Sequence, residues 1–339
     1  MAITADIEKA FDSMSHDFLI AALTKFGFGD YFIDWIKILL NNNESCIING
    51  GRTSRYFKLQ RGARQGDPIA AYLFIIALEI FFIMVRSDDY VQKLRICDYD
   101  FLLSAYADDT TFFVKDIDSI CRIFILFDEF SLFSGFKLNV SKCEVCGIGA
   151  LKGANTALCN VKNINLTNDS IRVLGIHFSY DSRICEEKNF TGTIKKICNV
   201  LKVWKMRNLT LIGKIVIFKS LAISKIISTS YMSTVPTTVL NNLVTIHKDF
   251  IWDGKKPKIK HSTLIANYSD GGLKDIDIPS KIRALQLSWL KRLLDDSFHP
   301  WKVIPLHFLS KLTVFGKIYF FLILVSIFVM PSPRFTMIL

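Results

Sequence analysis

A chain of 339 residues, half of them apolar and 28 of them phenylalanine, has material for more than one packed core and is too hydrophobic to be read as disordered. Its formal charge of +11 and its pI near 9.2 point to an anionic partner, either nucleic acid or a membrane surface. Eight cysteines without a disulfide framework, and a first segment that is not a signal peptide, argue for an intracellular chain, nuclear or cytoplasmic, with reduced thiols.

In chain order, Met1–Ile7 reads as a short apolar strand that contains Asp6. Phe18–Phe26 and Tyr31–Leu40 carry apolar residues at helical spacing, separated by Gly27 and Gly29. Ser45–Asn49 and Tyr56–Leu59 read as two short strands around Asn49-Gly50-Gly51. A basic, glycine-rich turn, Arg61 to Pro68, ends in Asp67-Pro68, a helix cap followed by a proline at the first helical position. The helix it opens, Ile69–Val85, has one charge, Glu79. It is weighed as a membrane span, but its length and its central glutamate favour a core helix packed on a sheet.

Phe101–Val114 predicts a hairpin whose β-branched and apolar arms flank Asp108 and Asp109 at the tip. Asp116–Ser134 predicts a helix stopped by Gly135, and Ile171–Tyr180 another short hairpin around Gly175. Cys143 and Cys146 have the spacing of half a zinc site, but no second pair follows, so both are read as buried thiols. From Lys188 onward long helical patterns dominate. The 61 residues from Lys188 to Lys248 hold ten cations and no acid, and all other residues together net only +1. A solvated face normally mixes both signs, so this span is read as a polyanion contact. Lys255, Lys256, Lys258 and Lys260 form a second basic cluster, which Asp249 and Asp253 could turn into an ordinary mixed surface. The run Ile318–Met330 is apolar apart from one serine and matches the composition of neither preceding segment.

Two adjacent aspartates at a hairpin tip repel one another and raise each other's pKa, a cost that a divalent cation removes. Mg²⁺ suits such oxygen donors and shares its shell with substrate phosphates. A third carboxylate on a neighbouring strand, Asp6, would complete a two-ion site for in-line phosphoryl displacement.

Three segments carry a more specific signal together: Asp6-Ile-Glu-Lys-Ala-Phe11-Asp12, Arg64-Gln65-Gly66-Asp67-Pro68 and Tyr106-Ala107-Asp108-Asp109. Gly135-Phe-Lys-Leu-Asn139-Val-Ser-Lys142 and Val173-Leu174-Gly175-Ile176 follow them in order. With these, and with Phe250-Ile-Trp252, Gly271-Gly272-Leu273 and Ser288-Trp289, the chain resembles the reverse transcriptase domain of LINE-type (non-LTR) retrotransposons over roughly residues 1 to 312. The resemblance implies an α+β fold: a polymerase palm (residues 1–183), with a small antiparallel, ferredoxin-like sheet, then a mostly helical, basic thumb (184–312). Residues 313–339 would be a hydrophobic tail foreign to the family.

The resemblance also implies roles. Asp6 and Asp108 would be the principal ligands of two Mg²⁺ ions (Mn²⁺ as a substitute), with Asp109 in support and Ile7 among the metal-binding positions. Phe11 would exclude a 2′-hydroxyl, Arg64, Gln65 and Gly66 would lie at the nascent base pair, and Leu174 and Gly175 would hold the primer end. Lys142 would act on the departing pyrophosphate, with Lys137 close enough to compete for that role. In the thumb, Lys195, Lys196, Lys202, Lys205, Arg207, Lys214 and Lys219 would meet the backbones of an RNA template and a DNA primer, and deoxynucleoside triphosphates would be the substrates. Trp204 and Tyr231 are read as core residues before stacking ones.

Members of the family carry a fingers region before the first motif, whereas five residues precede Asp6 here. The chain as it stands is therefore expected to bind nucleic acid without polymerising. Two other readings are a silent nucleic-acid-binding remnant and a membrane-anchored protein held by insertion of segment 314–330.

Overall fold

The computed structural model describes residues 1–147, 165–166 and 169–311; the expected tail lies outside these residues. Among these described residues, the first half holds thirteen strands and five α-helices. Strand β1 (Ala2–Ala5) leads through a short helix α1 (Ala10–Ser13) to α2 (His16–Lys25) and α3 (Asp30–Leu40). Next come β2 (Glu44–Ser45), β3 (Ile48–Asn49), β4 (Arg52–Thr53) and β5 (Phe57–Lys58). Long α4 (Ala70–Ser87) precedes β6 (Leu94–Ile96), β7 (Tyr99–Phe101), β8 (Leu103–Tyr106) and β9 (Asp109–Phe113). Then come α5 (Ile117–Ser134), β10 (Glu144–Cys146), β11 (Asn165–Leu166), β12 (Ile171–Val173) and β13 (Ile176–Phe178).

The main sheet has the order β11-β10-β1-β9-β8. Setting β11 aside, β1, β8, β9 and β10 with α4 and α5 between them make a βαββαβ unit whose first strand lies inside, the ferredoxin-like arrangement. The expected antiparallel sheet is found in those four strands, but β11 joins the edge in parallel, Glu144 opposite Asn165. Strand alternation sorts the side chains. Ile3, Ala5, Ile7, Phe112, Val114 and Val145 face the helices, where Leu73, Phe74, Phe81, Phe127 and Phe130 complete a phenylalanine-rich core. Ala2, Phe113 and Cys146 face the other way, against Ile171 and Val173 of the β12–β13 hairpin.

Helix α4 is long and apolar enough to cross a membrane, but it buries Ala70, Leu73, Phe74, Ala77, Leu78, Phe81, Phe82 and Val85 against this core. The helix starts later than the expected Asp67 cap and Pro68 first position. Ile69 precedes its first residue without a side-chain cap, and Asp67 Oδ1 accepts from the Ile69 N–H at 3.1 Å in the turn before it. Cys143 and Cys146 are both buried but contribute to opposite sides of the sheet, as structural thiols do. The segment between α3 and α4 departs from two plain strands. It is a stepped hairpin, with β3–β4 around Gly50-Gly51 and β2–β5 below it. The arm expected to begin at Phe101 is likewise divided, because Phe101 belongs to a separate hairpin, β6–β7, whose turn residues Cys97 and Asp98 have φ of 52° and 62°.

The second half is helical: α6 (Ser182–Glu186), α7 (Gly192–Lys205), α8 (Leu211–Ile217), α9 (Ser224–Met232), α10 (Thr237–Trp252), α11 (His261–Ile265), α12 (Ile278–Leu293) and α13 (Val303–Lys311). Its own core contains Phe190, Ile197, Leu201, Phe218, Ile226, Leu243, Phe250 and Ile282. Trp204 packs on this core, and Tyr231 stacks on Trp289 at 4.9 Å, so both serve packing as the sequence suggested.

Candidate active site

The site forms where strand parity and register meet. Ile3, Ala5 and Ile7 point to the helices, so Asp6 points to the opposite face. On β9, Phe112 points to the helices and Asp109 is out of phase with it. Ala5 pairs with Thr110, so the next position of β1, Asp6, comes opposite Asp109. Asp108 sits beside them in the two-residue turn that lets Tyr106 pair with Asp109. Ala107 opens that turn at φ 53°, a left-handed conformation that costs an alanine about 1–2 kcal/mol.

Asp109 registers the crowding. Burial, then the charges of Asp108 and Asp6, push its carboxyl above the ordinary aspartate value, while Arg172 and Lys142 pull it down. Lys142 ends a single 3-10 turn, Val140–Lys142, and its Nζ lies 3.2 Å from Asp6 Oδ2. Of the two lysines weighed for the pyrophosphate role, this contact puts Lys142 in the site; the backbone carbonyl of Lys137 instead accepts from the Glu8 N–H at 2.7 Å. The Asp6 carbonyl accepts from the Asn139 N–H at 2.9 Å, so the 137–142 segment extends the sheet and carries Lys142 with it. Ile7 buries its side chain in the core, which leaves only its backbone carbonyl as a metal ligand.

The second motif is stitched to the first. The N–H of Gly62 donates to the Met14 carbonyl at 2.7 Å, that of Ala63 to the Phe11 carbonyl at 2.8 Å, and His16 Nε2 lies 2.8 Å from the Gly62 carbonyl. Phe11 is half-buried and stacked on Phe74 at 4.7 Å, so one ring face is fixed by the core. Arg64, Gln65 and Gly66 are exposed, with Arg64 donating to the Glu44 carbonyl at 3.0 Å. Gly66 has φ 92° with open space around it, a conformation that a side chain would strain. Leu174 and Gly175 form the left-handed tip of β12–β13, at φ 48° and 82°. That hairpin is clamped from below: Asn189 accepts from the His177 N–H at 2.8 Å and donates to the His177 carbonyl at 2.7 Å.

Arg172 was not singled out from the sequence. It stands two residues before Leu174, and its charge acts on Asp109. The available signal was a lone cation alternating with Ile171 and Val173 in a strand that packs on the sheet.

The basic span divides. Lys195, Lys196, Lys202, Lys205 and Arg207 are exposed, on or just after α7, while Ile194, Ile197, Leu201 and Trp204 face the core. Lys219 is exposed but donates to the Lys274 carbonyl at 2.8 Å. Lys214 contradicts its expected role. It is buried, 2.6 Å from Asp253 and 3.4 Å from the Ile251 carbonyl, and is committed to joining α8 to the end of α10. Asp253 pairs with Lys214, and Lys255, Lys256, Lys258 and Lys260 are all exposed.

Residues 1–178 match the model of the family described as reverse transcriptase (RNA-dependent DNA polymerase). The chain belongs to the reverse transcriptase family. Its relatives place it with the LINE-type retrotransposon members: a transposon TX1 uncharacterized 149 kDa protein of Xenopus laevis is 24% identical over 294 residues, 86% of this chain and 22% of that protein. The Pol polyprotein of the type-2 retrotransposable element R2DM of Drosophila melanogaster is 27% identical over 198 residues, 57% of this chain and 18% of the polyprotein. The chain thus spans about a fifth of the length of these curated relatives. Among solved structures, telomerase of Candida tropicalis in complex with a TWJ fragment of telomeric RNA is similar over 92% of this chain and 49% of that one, at 13% identity and a TM-score of 0.40.

Reverse transcriptases generally use divalent metal ions, and the donor set here fits one. Three carboxylates face one another across two strands, and two of them raise the pKa of the third. All offer hard oxygen donors, as Mg²⁺ requires.

Proposed function

We propose that residues 1–183 act as a polymerase palm that joins deoxynucleotides to a DNA primer on an RNA template, and that residues 184–312 act as the thumb that holds the duplex. The observation that carries this reading is the convergence of Asp6, Asp108, Asp109 and Lys142 on the outer face of β1 and β9. Two Mg²⁺ ions held by the three aspartates and the Ile7 carbonyl would lower the pKa of the attacking hydroxyl and stabilise the leaving oxygen.

The protein's own groups supply position and charge. Phe11, braced by Phe74, closes the space a 2′-hydroxyl would need. Arg64, Gln65 and Gly66 present an open backbone to the new base pair, and Leu174 and Gly175 present the hairpin tip to the primer end. Lys142, already beside Asp6, gives a proton or positive charge to the departing pyrophosphate. Arg172 is added as a positioning residue for Asp109. Exposed lysines on α7 contact phosphates without reading sequence.

Two measurements test this. In Mn²⁺ titrations followed by electron paramagnetic resonance, the chain should take up the ion, and Asp108→Asn should bind it about tenfold or more weakly. Equal binding by the two proteins would sink the assignment. Primer extension on an RNA template with Mg²⁺ and four deoxynucleotides is the second. Extension above an Asp108→Asn control would support the polymerase reading and overturn the expectation that this chain is silent on its own.

A further inference from the structure

In the helical half, far along the chain from the aspartates, three metal-binding side chains meet without a partner for all their atoms. His247 lies on the inner side of α10, 3% exposed, with its ring against Phe218 at 4.5 Å. Its Nε2 is 3.1 Å from Asp275 Oδ1, and the Asp275 side chain is wholly buried. The other oxygen, Asp275 Oδ2, has no hydrogen bond. Neither has His261 Nε2, which lies 3.9 Å away and is turned inward although its side chain is 41% exposed. A ligand atom from each of the three residues lies within 4.8 Å of the other two.

The backbone holds this arrangement firmly. The N–H groups of Leu273 and Asp275 donate to the Leu264 carbonyl at 3.0 and 2.9 Å, and that of Lys274 to the Ala266 carbonyl at 3.0 Å. Gly272 runs so close to α11 that a Cβ there would stand 2.1 Å from the Ala266 carbonyl oxygen. The Ile276 N–H fixes Asp275 Oδ1 at 2.8 Å, so the carboxylate is aimed rather than free to turn. A cleft of about 410 Å³ opens over the two histidines, lined also by Trp252, Lys248, Lys258 and Lys260.

An ion pair between His247 and Asp275 accounts for one oxygen and leaves two buried polar atoms facing each other beyond hydrogen-bond reach, which folded proteins seldom tolerate. A tetrahedral ion with bonds of about 2.0–2.2 Å needs its ligand atoms roughly 3.4 Å apart; His247 Nε2 lies 3.1 Å from Asp275 Oδ1 and His261 Nε2 3.9 Å from Asp275 Oδ2. Two imidazoles and one carboxylate are a zinc-class donor set, whereas Mg²⁺ and Ca²⁺ prefer oxygen alone.

We propose that His247, His261 and Asp275 form a zinc-binding site that ties α10, α11 and the loop 271–277 together, with its fourth position facing the cleft. The site is separate from the aspartates of the palm and does not depend on their role.

The test uses the full chain, stripped with a chelator and kept in excess Mg²⁺ so that the palm carboxylates are occupied. Co²⁺ should give the intense visible absorption of a tetrahedral site, saturating at one equivalent, and Zn²⁺ should abolish it. His261→Ala should weaken Zn²⁺ binding about a hundredfold or more. His261 Nε2 makes no hydrogen bond, so this variant should fold, which circular dichroism checks. Zn²⁺ should raise the melting temperature of the wild type and not of His261→Ala. Asp108→Asn should keep the tetrahedral spectrum unchanged. The proposal is overturned by an octahedral Co²⁺ spectrum, by equal Zn²⁺ uptake in wild type and folded His261→Ala, or by loss of the signal in Asp108→Asn.

Discussion

Asp109 bears the electrostatic cost of bringing three carboxylates together. Its carboxyl is held above the ordinary 3.8 by burial and by Asp108 and Asp6. From pH 3.8 up to its raised value the folded chain binds more protons there than the unfolded chain does. Its contribution to stability therefore falls as pH rises through that window, and the penalty is complete above it. Asp109→Asn removes the charge, so at pH 7 it should raise the melting temperature by about 1–3 °C and flatten the acid-side dependence. Mg²⁺ should stabilise the wild type more than the variant. A lower melting temperature for Asp109→Asn would mean that the three carboxylates do not repel as described. Phe11 makes a different prediction. Its ring stack with Phe74 fixes where its free face stands. If polymerisation is measured in a form that extends primers, Phe11→Ala should raise ribonucleotide incorporation about tenfold or more while leaving template binding unchanged. Equal discrimination in the two proteins would reduce Phe11 to a core residue.

Among elements, α7 shows how one run of like charge serves two purposes. Ile194, Ile197, Leu201 and Trp204 recur at helical spacing and pack inward, which leaves Lys195, Lys196, Lys202 and Lys205 in solvent. Lys214, in α8 of the same acid-free run, is turned in against Asp253. Replacing the four α7 lysines by alanine should reduce the slope of log affinity against log salt for an RNA–DNA duplex by up to about 3.6. Lys214→Ala should leave that slope unchanged and destabilise the fold by about 1–2 kcal/mol, less than a fully buried pair because Asp253 is half exposed. An altered slope in Lys214→Ala, or an unaltered one in the quadruple variant, would reverse this division of labour. Acid depletion identified the segment but not its inward member, because Asp253 lies 39 residues further on and only packing brings it back.

At the scale of the whole molecule, the periodic segments were legible. Helices α2, α3, α4 and α5 and the hairpins β8–β9 and β12–β13 lie where apolar spacing and turn residues put them. The three aspartates were legible as well, because the residues that hold and flank them are contiguous in short motifs. What depends on pairing between distant strands was not. The sequence alone leaves open that β11 adds in parallel, that β6–β7 is a hairpin of its own, and that Arg172 reaches Asp109. The cluster of His247, His261 and Asp275 is assembled from three elements and leaves no motif at all. By itself the sequence determined the local elements, the charge of each segment and the family, since these follow from spacing and composition within a few residues. Tertiary structure alone decided which cations are free, which carboxylates repel and which histidines meet, because burial and distance belong to residues that the chain brings together only when it folds.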